Sequence, residues 1–325
     1  MADHKRKMTD AIGGYFGLEL RQGEHYHRDA IRLNTGRNCF EYILRARGYK
    51  HVWLPYYMCE VLLEPLHKLH IPHSFYSINE QLEPTTLPSL QAEEAFLYTN
   101  YYGLKQTCVE RLAAHYGKQL IIDNAQAFYA IPLSGIDTFY TARKFFGVPD
   151  GAYLYTDAYL DIDIPQDESL GRMSHLLKRI EQGAENGFAD YHQHEENLCN
   201  QQIKRMSRLT ERLLENIDYK AVAKQRRENY LKLEHALHAS NRLKLSMPDD
   251  AVPMTYPYWT SNGTELRQSL QQQRIYTATY WPNVIQIQWN SPILEQDIST
   301  NILPLAIDQR YSKEELGRLL HYVIN

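Results

Sequence analysis

From Asn34 onward, short apolar runs alternate with segments whose apolar positions recur at helical spacing. Phe40 to Arg47 reads as a helix stopped by Gly48, because glycine accepts the left-handed turn that ends a helix. A strand is expected at His51–Leu54, a helix around Glu60–Leu69, and a strand at His73–Ile78 behind Pro72. Ala95–Thr99 reads as the next strand, Val109–Tyr116 as a helix ended by Gly117, and Leu120–Asp123 as a compact buried strand. Short apolar strands alternating with helices predict a mostly parallel sheet covered by helices on both faces, an α/β fold.

The pattern changes at Glu195. From there to about Leu237 the chain is charged and helical, with apolar positions at helical spacing in Met206–Leu214 and Lys224–Leu237. Val252–Trp259, a helix near Glu265–Gln272, Val284–Trp289 and a last helix at Lys313–Ile324 then predict a smaller α+β domain. A boundary near residue 220 gives a large domain over 1–220 and a small one over 221–325.

Composition narrows the function classes. A net charge of −4 over 325 residues provides no field for nucleic acid or an anionic membrane. No stretch has the length of a membrane span, and no apolar run follows the charged N-terminus, so a cytoplasmic protein is expected. The four cysteines are scattered, which argues against a zinc knuckle or a disulfide framework. His67, His70 and His73 are interrupted by Pro72, and His192 and His194 lack a third placed ligand, so no metal site is expected. A dinucleotide-binding Rossmann enzyme would need a Gly-x-Gly-x-x-Gly after its first strand, and there is none. The 25 tyrosines suit half-buried surfaces such as subunit interfaces and polar pockets.

Three segments carry candidate chemistry. Asn34-Thr35-Gly36-Arg37-Asn38 stands directly before a helix, where backbone N–H groups and the helix dipole favour an anion. Leu120 to Gln126 puts Asp123 at the C-terminal end of a buried parallel strand, the edge at which α/β sheets place ligands. Thr138 to Leu154 embeds Lys144 among aromatics, with Arg143 before it and Gly147 and Gly151 after it. A lysine in a partly desolvated, cation-neighboured pocket suits Schiff-base chemistry. Singly, these are also a helix N-cap, a helix-capping aspartate and a surface lysine. In this chain order they match a phosphate cradle, an acid for a ring nitrogen, and a lysine that holds a cofactor.

On these residues the chain resembles the DegT/DnrJ/EryC1/StrS family of pyridoxal-phosphate (PLP) sugar aminotransferases, members of fold type I. Asp123-Asn124-Ala125-Gln126 is similar to the family's Asp-x-Ala-Gln, and Lys144 falls on its Schiff-base lysine. Gly36-Arg37-Asn38 is similar to the Gly-Thr-x-Ala phosphate segment, and Leu54-Pro55-Tyr56-Tyr57 to Val-Pro-Ser-Phe-Thr. Gly13 to Leu20 looks like the lead-in of a subgroup from bacterial surface-polysaccharide gene clusters, and Leu303-Pro304-Leu305 resembles the closing apolar segment. Two departures stand out. Phe139-Tyr140-Thr141-Ala142-Arg143 replaces the usual Ser-Phe-His-x-x lead-in, and the cross-subunit Gly-Tyr-Asn-x-Arg segment has no clear counterpart.

The resemblance implies a fold-type-I large domain, a smaller α+β C-terminal domain, PLP as cofactor, and a homodimer. It implies Lys144 as the cofactor lysine and proton shuttle, Asp123 for the pyridine nitrogen, and Gln126 for the phenolic oxygen. Gly36, Arg37, Asn38 and Thr141 would hold the phosphate, with Thr138 as the substitute for Thr141. Tyr57 is the choice for covering the ring, with Tyr56 or Cys59 as alternatives. The implied reaction moves an amino group from an amino acid, expected to be glutamate, to a keto group on a nucleotide-linked sugar in surface-polysaccharide biosynthesis. The rivals are a PLP enzyme acting on a small non-sugar carbonyl and a non-catalytic binding protein of this fold. A sugar dehydratase of the family would carry histidine in place of Lys144.

Overall fold

The computed structural model describes residues 12–286 and 294–325. Its centre is a seven-stranded mixed sheet in the order β1-β7-β6-β5-β4-β2-β3. The strands are β1 (Ile31–Leu33), β2 (His51–Pro55), β3 (His73–Tyr76), β4 (Glu94–Thr99), β5 (Leu120–Asp123), β6 (Asp137–Thr141) and β7 (Ala152–Tyr155). Strands β2 to β6 run parallel to one another, as the alternating pattern predicts. Strand β7 lies antiparallel to both β6 and β1, which brings the segment before Gly36 beside the segment after Lys144.

Alternate side chains of the strands feed two apolar layers. Phe139, Leu154, Leu97 and Ile121 pack with Phe40, Ile43 and Leu44 of α1 (Gly36–Arg47) on one face. Tyr140, Tyr153, Phe96 and Ile122 pack on the other, in a cluster continuous with the C-terminal third. Period-two alternation is the reason one short strand serves both layers. Helix α1 begins where Thr35 accepts from the Asn38 N–H and ends at Gly48, whose φ of 69° is the left-handed turn expected of a glycine stop. Helices α2 (Leu63–Lys68) and α3 (Gln106–Tyr116) follow β2 and β4.

The charged stretch from Glu195 to Leu237 differs from its expected continuous helical character. It is divided among α5 (Phe188–Asn197), α6 (Arg208–Glu215) and α7 (Tyr219–Leu237). Between α5 and α6 the backbone pairs with other segments instead. Lys204 O accepts from Asn34 N–H, Arg205 N–H donates to Pro165 O, and Ser207 then caps α6. Helix α4 (Ser174–Glu181) forms a hairpin with α5 whose outer face leaves Leu177, Ile180 and Phe188 exposed.

The C-terminal third pairs β8 (Tyr256–Trp259) with β9 (Ile302–Leu305) and adds α8 (Gly263–Gln272), α9 (Pro282–Gln286), α10 (Leu294–Asn301) and α11 (Lys313–Ile324). The segment Val284–Trp289 of the expected small domain starts inside α9, where Pro282 suits the first helical turn, and its end lies outside the described residues. Among the described residues no helix is long and apolar enough to cross a membrane.

Candidate active site

The parallel register puts Thr99, at the end of β4, directly beside Asp123, at the end of β5. Asp123 in turn lies opposite Phe139 of β6, two residues before Thr141 and five before Lys144. Three strand ends therefore open onto one sheet edge, the ligand edge of open α/β sheets.

Asp123 is 6% exposed. One carboxylate oxygen accepts from the Ala125 N–H at 2.8 Å and the other from the Thr99 hydroxyl at 3.4 Å. No cation lies within ion-pair distance among the described residues. Burial raises its pKa, while the Lys144 charge, the Ala125 amide and the Thr99 hydroxyl pull it back down. A buried carboxylate with only neutral donors is poised to gain a positively charged partner. Lys144 supplies the long-range attraction, yet its own amine is exposed and makes no hydrogen bond or ion pair with the described residues.

Gln126 directly follows Ala125. Its Oε1 accepts from the Tyr102 N–H at 2.7 Å, which fixes the amide. Its Nε2 is buried without a partner among the described residues, as is Asn124 Oδ1. A buried amide that presents an unused donor costs free energy unless a ligand accepts from it. The turn that delivers the Tyr102 N–H needs Gly103 (φ 75°), where a Cβ would come within 3.2 Å of Gln126 O.

Gly36 joins this edge from the other side. Gly151 N–H donates to Asn34 O at 2.7 Å, and Ala142 N–H donates to Gly151 O at 3.0 Å, so the α1 entrance is laced to the Lys144 loop. The N–H groups of Gly36 and Arg37 have no partner among the described residues, while that of Asn38 is taken by Thr35. The Thr141 hydroxyl donates to Gly151 O over a long 3.4 Å, leaving it free to turn.

The structure thus gathers Gly36, Asp123, Gln126, Thr141 and Lys144. The side chains of Arg37 and Asn38 are engaged elsewhere. Arg37 ion-pairs with Glu64 at 2.6 Å and reaches Cys199 Sγ, and Asn38 donates to Asn34 Oδ1 and Gln202 O. Tyr57 is fully buried. Its hydroxyl is 2.9 Å from that of Tyr102, and its ring packs against Tyr101 and edge-on to Trp281 at 4.7 Å. Burial raises its pKa. Arg143 ion-pairs with Glu195 of α5, which ties the hairpin to the loop. Among the described residues no group of three or more His, Cys, Asp or Glu could hold a metal ion.

Thr99, Tyr101 and Tyr102 also border this site, and none of them is a candidate by residue pattern alone. The available signal was Asn100-Tyr101-Tyr102-Gly103, directly after an apolar strand at the sheet's ligand edge.

No protein-family model matches the chain, and no curated protein matches it. Solved structures do. DesV of S. venezuelae, in complex with a ketimine intermediate, is 16% identical, with a TM-score of 0.60 over 90% of this chain and 83% of its own. A DegT DnrJ EryC1 StrS aminotransferase from Brucella abortus is 14% identical, with a TM-score of 0.60 over 90% of this chain and 84% of its own. NtdA from Bacillus subtilis, with bound cofactor PMP, is 16% identical, with a TM-score of 0.62 over 90% of this chain and 72% of its own. Over 90% of its length, the chain has the α/β fold-type-I architecture of these aminotransferases.

Proposed function

We propose that this protein is a PLP-dependent aminotransferase that uses Lys144. The amino group passes from an amino acid, glutamate in the first instance, to a keto group on a nucleotide-linked sugar in surface-polysaccharide synthesis. The observation that carries the reading is Asp123, buried at the strand ends without a cation in contact and drawn on by the unpaired amine of Lys144. The acceptor class is supported by the solved structures of like fold, among them DesI with its TDP-sugar product.

The residues present fit the cofactor. Asp123 offers a carboxylate to a protonated ring nitrogen, and Gln126 Nε2 offers its unused donor to a ring oxygen. The Gly36 and Arg37 N–H groups and the Thr141 hydroxyl are the donors for the phosphate. The side chains of Arg37 and Asn38 support the helix entrance from behind, and Tyr57 buttresses Tyr102, whose N–H orients Gln126. When bound, PLP supplies an aldehyde that links to amines and a ring that withdraws electrons. Lys144 would then hold the cofactor and carry the proton that moves at the substrate carbon. Its exposure leaves the amine room to swing. The exposed apolar side chains Tyr15, Phe16 and Leu18, together with the outer face of α4, support a homodimer as the working form.

An absorbance spectrum of purified protein with PLP, before and after glutamate, tests the reading beside Lys144→Ala. A visible band that gives way to a near-ultraviolet one on glutamate, and is absent in the variant, is the expected result. A band indifferent to glutamate moves the search to other amino donors. No band in the wild type overturns the enzyme reading.

A further inference from the structure

The residue directly after Lys144 is held from below by a buried cation. Arg226, on α7, is 1% exposed. Its Nη2 donates to Phe145 O at 3.3 Å, and its Nη1 to Met254 O at 2.9 Å and Pro253 O at 3.5 Å. Its Nε donates to Gln309 Oε1 at 3.1 Å, and Gln309 Nε2 donates to Phe145 O at 2.9 Å. The guanidinium carbon lies 4.5 Å from the centre of the Phe145 ring. The Phe145 carbonyl therefore accepts from two side chains that also bond each other, a closed triangle with one corner on the Lys144 loop.

The charge state makes this arrangement unusual. Every hydrogen-bond acceptor of Arg226 is neutral, and burial lowers its pKa to about 10 against the pull of Asp308. A cation this deep without a carboxylate in contact is destabilising unless its donors are needed. Arginine's flat fork reaches several carbonyls at fixed angles, which a single ammonium does not. The segments it joins are the Lys144 loop, the approach to β8 and the stretch after β9.

We propose that Arg226, together with Gln309, is a positioning residue for Lys144, fixing the Phe145 carbonyl so that the amine is presented to the strand ends. This rests on the PLP reading for its consequence, though not for its geometry. Without the triangle the loop keeps the Phe145 and Phe146 N–H bonds to Ala142 O and its apolar packing, but loses its hydrogen bonds to the C-terminal third.

The decisive variant is Gln309→Glu. It gives Arg226 a carboxylate and removes the donor to Phe145 O, so stability and loop order should part company. The melting temperature should hold or rise, while hydrogen exchange at Phe145 and Phe146 accelerates. Borohydride trapping of PLP at Lys144, mapped by peptide mass, should slow by about tenfold. Arg226→Met should show the same loop changes with lowered stability. Arg226→Lys, which keeps a charge but not the fork, should fail to restore trapping. Folded Gln309→Glu protein with wild-type exchange and trapping would overturn the proposal, as would full rescue by lysine. If wild-type protein traps no PLP, the PLP reading fails, and the exchange measurement alone still decides whether Arg226 orders the loop.

Discussion

Two aspartates stand at opposite ends of neighbouring strands, Asp123 closing β5 and Asp137 opening β6, and both are buried. Asp137 receives a two-pronged bond from Arg47, with Nε and Nη2 each at 2.8 Å, and the Thr156 hydroxyl at 2.7 Å. Asp123 receives one amide and one distant hydroxyl. The same side chain, in the same sheet, is fully compensated at one edge and left short of positive charge at the other. Compensation marks the edge that holds the fold together, and its lack marks the edge that awaits a ligand.

Breaking the compensated side should have the larger effect. Arg47→Met leaves the Asp137 carboxylate buried and unpaired, and should lower unfolding free energy by about 3 to 5 kcal/mol in denaturant titrations. PLP uptake by the folded fraction should be unchanged. Asp123→Asn should do the reverse, slowing amine transfer by on the order of 10²-fold in stopped-flow traces while the fold persists. A loss of stability in Asp123→Asn as large as in Arg47→Met would erase the distinction between the two edges. The smallest effect sharpens the comparison through pH. Burial raises the Asp123 pKa above its ordinary 3.8, so the unfolded chain releases that proton first as pH rises. The cofactor-free native state is therefore penalised at neutral pH. Asp123→Asn should melt slightly higher than wild type there, and this gain should shrink as pH falls towards 3.8. A gain that grows on acidification would reverse the sign of the argument.

Local patterns carried much of this fold. Gly48 stops α1, the apolar run Leu120–Asp123 is a strand buried along its whole length, and Lys313–Ile324 is a helix with the expected bounds. These features depend on neighbours in the chain. The direction of β7 was not readable, because it is set by pairing with β6 and with the distant β1. Asp123 is legible as a carboxylate at a strand end and Lys144 as a lysine among aromatics, and Gln126 through the resemblance to Asp-x-Ala-Gln. Arg226 is not legible. In the charged run Lys224–Leu237 it reads as one more solvated cation, and only the carbonyls that converge on it from elsewhere distinguish it. Tyr101 and Tyr102 were hidden for a related reason. Their place beside Gln126 follows from the turn at Gly103, whose geometry depends on a close approach across the sheet edge.

The seating of β1 also bears on how the chain assembles during synthesis. Its strand neighbour is β7, with Ile31 opposite Leu154, and the following Asn34 is held by Gly151 and Lys204. A nascent chain that has emerged only through Gln126 holds both site residues of that segment but has nothing against which to lay β1. Contacts this far apart in sequence close late because the intervening loop must first be ordered. On the ribosome, the entrance of α1 should therefore reach its place beside the Lys144 loop only after residue 204 has left the exit tunnel. Fragments that end before β7 should expose β1 to pairing with other unfinished chains.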